Sequence, residues 1–195
     1  MFQKKIIITA YILFISVFCV SQNIDVKILD ALNNKPQKID NIWKTITYTA
    51  TPFSFATPTA MFLVSLKTKD KYLQNKSYKT AGALALNSII TLSLKYSINR
   101  ARPFKENKFI YKKSHAGTPS FPSGHTSTAF ATATSLTIAY PKWYVAIPAY
   151  TWAAACGYSR MYLGVHYPSD VLAGAVIGTL SSFLAYKINC KIVGK

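Results

Sequence analysis

Five uncharged, mostly apolar stretches alternate with basic segments along this chain, at residues 45–66, 80–94, 116–141, 143–159 and 171–186. They are long, rich in Ala and Leu, and lack the period-two alternation of a half-buried strand, so they predict helices. The expected fold is all-α, a helical bundle embedded in a membrane. Pro52 and Pro58 interrupt the first stretch, which argues against a straight span there. Small residues recur in TSTAFATATS and in Gly174-x-x-x-Gly178, and they permit close approach of helices. Tight packing within one bundle is the expected use of these residues, ahead of a dimerisation face.

Before these stretches stands MFQKKIIITAYILFISVFCVSQN, two lysines followed by an uncharged run from Ile6 to Val20. It reads as a secretory signal removed after Ser21, or as an uncleaved first transmembrane helix. About five helices follow it, making six if it is retained. A lipid anchor at Cys19 is disfavoured by bulky Phe18. Residues 1–21 are therefore set apart, and residues 22–195 are expected to form a single domain, without repeats, linkers or low-complexity tracts.

Composition strengthens the membrane reading. Half of the residues are hydrophobic and 15% are charged, where roughly a quarter charged is usual for soluble proteins. The net charge of +17 favours acidic partners. The lysines cluster between uncharged runs and line no single face, which fits an anionic membrane surface or a phosphate-bearing substrate better than nucleic acid. Lys67, Lys69, Lys71, Lys76 and Lys79 crowd one connection, and Lys187, Lys191 and Lys195 follow the last stretch. Basic segments stay cytoplasmic, so the connections around 99–122 and 159–168 are expected together on the outer side. The rim of Lys105, Lys108, Lys112 and Lys113, with Phe104, Phe109 and Tyr111 between them, suits an anionic headgroup or a solvated loop. Cys156 and Cys190 read as free thiols in preference to a disulfide.

Nearly all the unusual chemistry lies in those two outer connections and at the helix ends that flank them. In KYSINRARP, six residues separate Lys95 from Arg102, and Pro103 follows as a helix stop. In FPSGHTSTAF, Pro122 suits a first helical turn, and Ser123 and Gly124 offer backbone amides at its positive end to an oxyanion. His125 can give a proton to whatever those amides hold. In SRMYLGVHYPSD, Pro168 predicts a helix start, with His166 just outside and Asp170, the only acidic residue after Glu106, just inside. Asp170 is expected to accept a hydrogen bond from one imidazole nitrogen and leave the other unprotonated and exposed, as a nucleophile requires. Lys95, Arg102 and Arg160 with the amides of Ser123 and Gly124 describe a site for a tetrahedral oxyanion. Three cations beside one Asp would repel a divalent ion, so no metal and no cofactor are expected.

In these residues the chain resembles the type 2 phosphatidic acid phosphatase superfamily, which includes bacterial class A acid phosphatases and vanadium haloperoxidases. The pattern runs complete from Lys95 to Pro103, Pro122 to His125, and Ser159 to Asp170, while residues 22–44 show no likeness. The resemblance implies a metal-independent phosphatase acting on a lipid phosphate or pyrophosphate through a phosphohistidine. His166 would attack, Asp170 orient it and His125 protonate the leaving oxygen, with the phosphoryl oxygens held by Lys95, Arg102, Ser123, Gly124 and Arg160. A bacterial inner membrane with the site facing the periplasm is the matching location. A soluble periplasmic acid phosphatase is the alternative, a vanadate-dependent haloperoxidase a more distant one, and a catalytically idle cationic membrane protein the last. His115 matches no motif position and reads as a surface loop residue. Neither the particular lipid nor the oligomeric state follows from these residues.

Overall fold

The structure is a computed structural model that describes residues 24–192, with side chains described to residue 188. Residues 1–21, read above as a signal or a first transmembrane helix, with Cys19, and the side chain of Cys190, lie outside these residues. Helices occupy α1 (24–32), α2 (Asp40–Tyr48), α3 (Ala50–Thr68), α4 (Lys71–Ile98), α5 (Pro103–Glu106), α6 (Gly124–Ala139), α7 (Trp143–Tyr162) and α8 (Pro168–Ile192). No strand occurs among the described residues, and the all-α expectation holds.

Several boundaries differ from the uncharged stretches, each for a local reason. α4 begins well before residue 80 because Asp70 caps it, accepting from the amides of Tyr72 and Leu73 at 2.9 and 3.0 Å. Charge in a first turn does not end a helix, whereas a cap starts one. The same helix stops at Asn99, in the left-handed conformation with φ 48°. Pro103 is therefore not its terminator, and sits instead at the first position of α5. In the third stretch, helix forms only from Gly124, and Pro122 lies outside it, ahead of the N-cap Ser123. α1 and α2 carry too many charged residues to stand out as apolar runs.

α6 lies at the centre and packs against α3, α4, α7 and α8. Its buried residues are small, among them Ser127, Ala129, Ala131, Thr132, Ala133 and Ser135, so its neighbours approach its backbone closely. A methyl group on Gly174 of α8 would lie 2.7 Å from the carbonyl oxygen of Ser123, and Gly178 sits still closer to that of Ser127. The glycine pair thus packs inside the bundle, as expected.

The bundle is apolar outside and hydroxyl-rich inside. Phe53, Phe55, Leu63, Ile89, Leu172 and Phe183 are exposed, while Ser54 pairs with Thr132 at 2.6 Å and Ser135 with Ser182 at 3.1 Å in the interior. Lipid solvates such an outer face, and buried hydroxyls then join helices that hydrophobicity cannot. Lys71–Glu106 and Pro168–Ile188 are long and apolar enough to cross a membrane, and only 22% of each apolar window is buried within the protein. A core helix of a soluble protein would be mostly buried, so this outward face supports a membrane setting.

α1, α2 and the connection 99–123 cover one end of the bundle. The Asn33 side chain donates to the carbonyls of Tyr111 and Tyr162 and accepts from the Tyr111 amide at 2.6 Å. Lys113 Nζ lies 3.1 Å from Asp40 Oδ1 with both side chains buried. These contacts hold an irregular loop in one place over the helix ends.

Candidate active site

At that end the C-termini of α4 and α7 meet the N-termini of α6 and α8, and the residues singled out in the sequence come together. Lys95, in the last turn of α4, approaches the first turn of α6: its Cε lies 3.7 Å from where a Cβ on Gly124 would stand. Its Nζ donates to the Pro119 carbonyl at 2.7 Å. Arg102 leaves the 99–102 turn and is held by Nε donation to the Thr118 carbonyl at 2.7 Å and Nη1 donation to the Val165 carbonyl at 2.6 Å. Arg160, 2% exposed, donates from Nη1 to the Thr47 hydroxyl at 3.1 Å, and its Nε has no hydrogen-bond partner. An unpaired donor on a buried guanidinium is unfavourable unless something else receives it.

α7 delivers His166 directly, because the amides of Val165 and His166 both donate back to the Arg160 carbonyl, at 3.2 and 3.3 Å. His166 is 1% exposed, so the imidazole is buried and not exposed as its loop position implied. Its Nε2 faces Arg102 Nη1 at 3.3 Å. A guanidinium only donates, so Nε2 must be the lone-pair nitrogen and Nδ1 carries the proton. Burial above all pushes the His166 imidazole down to about 3, with Arg160 and Arg102 acting in the same direction and Asp170 opposing them.

Asp170 is not a simple partner of that imidazole. Its Oδ2 lies 3.5 Å from His166 Nδ1, an ion-pair separation longer than a hydrogen bond, and Nδ1 has no hydrogen-bond partner. The same oxygen accepts from the Ser120 hydroxyl and from the Tyr167 amide at 2.9 Å. Oδ1 accepts from Arg100 Nη1 at 2.7 Å.

The Ser123 amide, expected to face an oxyanion, instead donates to the Asp170 carbonyl at 3.0 Å and joins α6 to α8. Its hydroxyl pairs with Thr126 at 2.8 Å and makes no helix cap. The first α6 amides, beginning with Gly124 and His125, are the ones that a helix leaves without an internal acceptor, and they lie at the positive end of the helix dipole. His125 is half-buried in that turn and faces Arg160, Arg102 and Lys95. His115 is exposed in its loop. Cys156 is buried with a free thiol.

Arg100, Ser120, Thr118, Thr47 and Asp25 were not legible as site residues. Arg100 stands in the same NRARP segment as Arg102, and its role emerges only where it grips Asp170. Asp25 reaches the site across the chain, which no local spacing announces.

The sequence profile of the PAP2 superfamily matches residues 77–192, more than half of the chain. The chain belongs to the PAP2 superfamily. Among other superfamily proteins it is 34% identical to a lipid A 4′-phosphatase of Bacteroides thetaiotaomicron over 97 residues, 50% of this chain and 43% of that protein. It is 32% identical to an undecaprenyl-diphosphatase of Sulfolobus acidocaldarius over 136 residues, 67% of this chain and 61% of that one. The chain thus spans roughly half the length of these curated relatives. The PAP2 fold is shared with the crystal structure of Aquifex aeolicus LpxE, with a TM-score of 0.69 at 25% identity over 83% of this chain and 93% of that one. It is shared too with the transmembrane PAP2-type phosphatidylglycerolphosphate phosphatase of Bacillus subtilis, with a TM-score of 0.74 at 24% identity over 95% and 96%.

Proposed function

We propose that this chain hydrolyses the terminal phosphate or pyrophosphate of a membrane lipid, through a phosphohistidine on His166 and without a metal ion. The observation that carries the reading is the opposition of His166 Nε2 and the Arg102 guanidinium across 3.3 Å. A phosphoryl group that displaces this contact would meet the His166 lone pair on one side and the Arg102 donors on the other.

In the first step the Nε2 lone pair forms a bond to phosphorus, the bond to the lipid oxygen breaks, and His125 gives that oxygen its proton. The imidazole becomes cationic as the bond forms, with Nδ1–H turned to Asp170. In the second step His125 takes a proton from water, the water oxygen attacks phosphorus, and the nitrogen–phosphorus bond breaks to return the neutral imidazole. Lys95, Arg102, Arg160 and the Gly124 amide hold the phosphoryl oxygens as charge moves across them. The electrophilic role of a metal would fall to these cations. The carboxylate beside them, Asp170, has both oxygens engaged by Arg100, Ser120 and Tyr167, which leaves it poorly suited as a metal ligand.

The apolar outer face and the two span-length helices support a lipid over a soluble ester. Relatives named for lipid A and undecaprenyl diphosphate support a large amphiphilic phosphate. Lys67, Lys69, Lys71, Lys76 and Lys79 lie at the opposite end of the bundle from the site, which supports an inner-membrane protein with the site toward the periplasm. We read residues 22–195 as one phosphatase domain. The test is phosphate release by detergent-purified protein from undecaprenyl pyrophosphate, lipid A and a short soluble monoester. The lipids are expected to be turned over preferentially; equal efficiency on the soluble ester would replace this reading with a general acid phosphatase.

A further inference from the structure

Asp170 is gripped from a side the motif residues do not supply. Arg100 Nη1 lies 2.7 Å from Asp170 Oδ1 and also 2.7 Å from the Ser169 hydroxyl, while Nη2 lies 2.9 Å from Asp25 Oδ2. Asp25, in α1, closes the ring by accepting from the Ser169 amide at 2.9 Å and from the Ser169 hydroxyl. The guanidinium carbon stands 4.0 Å over the Tyr167 ring, whose hydroxyl is held by Glu106 at 2.6 Å. The Arg100 carbonyl accepts from the Ser120 amide at 2.8 Å, and Ser120 in turn donates its hydroxyl to Asp170 Oδ2. Arg100 thus commands one carboxylate oxygen directly and the other through Ser120. Its side chain is 14% exposed, against 3% for Asp25 and 0% for Asp170, so the ring is built into the protein.

We propose that Arg100, anchored from α1 by Asp25, is a positioning residue for the reaction: it sets the rotation of the Asp170 carboxylate and so the way Oδ2 meets His166 Nδ1. The inference rests on the phosphohistidine reading above. Oδ2 stands 3.5 Å from Nδ1, a gap the carboxylate can close when the imidazole becomes cationic, provided its other oxygen stays fixed. A carboxylate free to turn would lose that geometry, and small misplacements of reacting groups are expensive in rate. Arg100 also balances the Asp170 charge in the unphosphorylated enzyme. The other charged or titratable groups facing the pair are Arg102 on the same connection, Arg160 on α7, Lys95 on α4 and Tyr167 next to His166, whereas His125 on α6 faces the three cations.

Three variants and two readouts test this. Arg100→Gln is expected to lower kcat by about tenfold to a hundredfold with KM little changed. It should also raise the pH at which His166 titrates by on the order of one unit, because Asp170 then faces the imidazole uncompensated. Arg100→Lys keeps the charge and loses the fork, so it should leave the titration where it is in the wild type while recovering only part of kcat. Asp25→Asn should lower kcat less, and should add nothing in the Arg100→Gln background, because it acts through Arg100. The titration is followed by imidazole NMR of unliganded, folded protein, which does not depend on turnover. An unchanged His166 titration in Arg100→Gln, equal losses in Gln and Lys variants, or additive effects of Asp25→Asn would each overturn the proposal as a merely structural contact. Absence of a phosphoenzyme in the wild type with the titration shift intact would overturn the phosphohistidine reading and leave the charge coupling standing.

Discussion

His166 presents Nε2 to Arg102 at 3.3 Å and Nδ1 to Asp170 at 3.5 Å. One ring nitrogen thus meets a pure donor and the other a pure acceptor, and the two neighbours fix a single neutral tautomer. The nitrogen left with a lone pair is the one among the cations.

Arg102 holds two carbonyls and the imidazole with one planar fork. Arg102→Lys keeps the charge and cannot reproduce that geometry. We expect kcat/KM to fall about a hundredfold, close to the loss in Arg102→Ala, in steady-state phosphate release. A near-wild-type Lys variant would reduce the role of Arg102 to charge alone.

The three cations predict turnover that persists in EDTA and is inhibited by vanadate, which mimics a transferring phosphoryl group. The check is phosphate release with chelator, then with added divalent ions. Complete loss with chelator, restored by a metal, would refute the metal-free mechanism.

His166 also links pH to stability. Its folded value, about 3, lies below the ordinary 6.5, so the unfolded chain binds the proton first. Between those values stability therefore falls as pH falls. Melting temperature in detergent should decline from pH 6.5 downward, and His166→Gln should flatten that decline. Identical slopes in the two proteins would show that His166 contributes nothing to it.

Gly174 tests the packing beneath the site. A methyl group there would meet the Ser123 carbonyl at 2.7 Å, where α8 is tied to α6 by the Ser123 amide and the Asp170 carbonyl. Gly174→Ala should destabilise by about 1–3 kcal/mol, read as a lower melting temperature. An unchanged melting temperature would mean the helices part without penalty.

What was legible in the sequence was what repeats locally. Uncharged length marked α3, α7 and α8, and three short motifs marked Lys95, His125, Arg160 and His166, because each stands at a helix end with its own signal. The Asn99 stop, the Asp70 cap and the start of α6 at Gly124 were not apparent, since charge and proline placement are coarse guides to boundaries. The Ser123 amide was misassigned because its acceptor, the Asp170 carbonyl, is remote in sequence. Asp25 and Arg100 were missed for the same reason: they meet only in the ring they form with Ser169 and Asp170, which are remote in sequence.

The central claim is that phosphorus is transferred to His166, and trapping the intermediate tests it most directly. Enzyme quenched during turnover of a radiolabelled lipid phosphate should carry acid-labile, base-stable label on the peptide containing His166, and His166→Ala should carry none. Undiminished label in His166→Ala, or label stable to acid, would contradict the account and assign the nucleophile elsewhere.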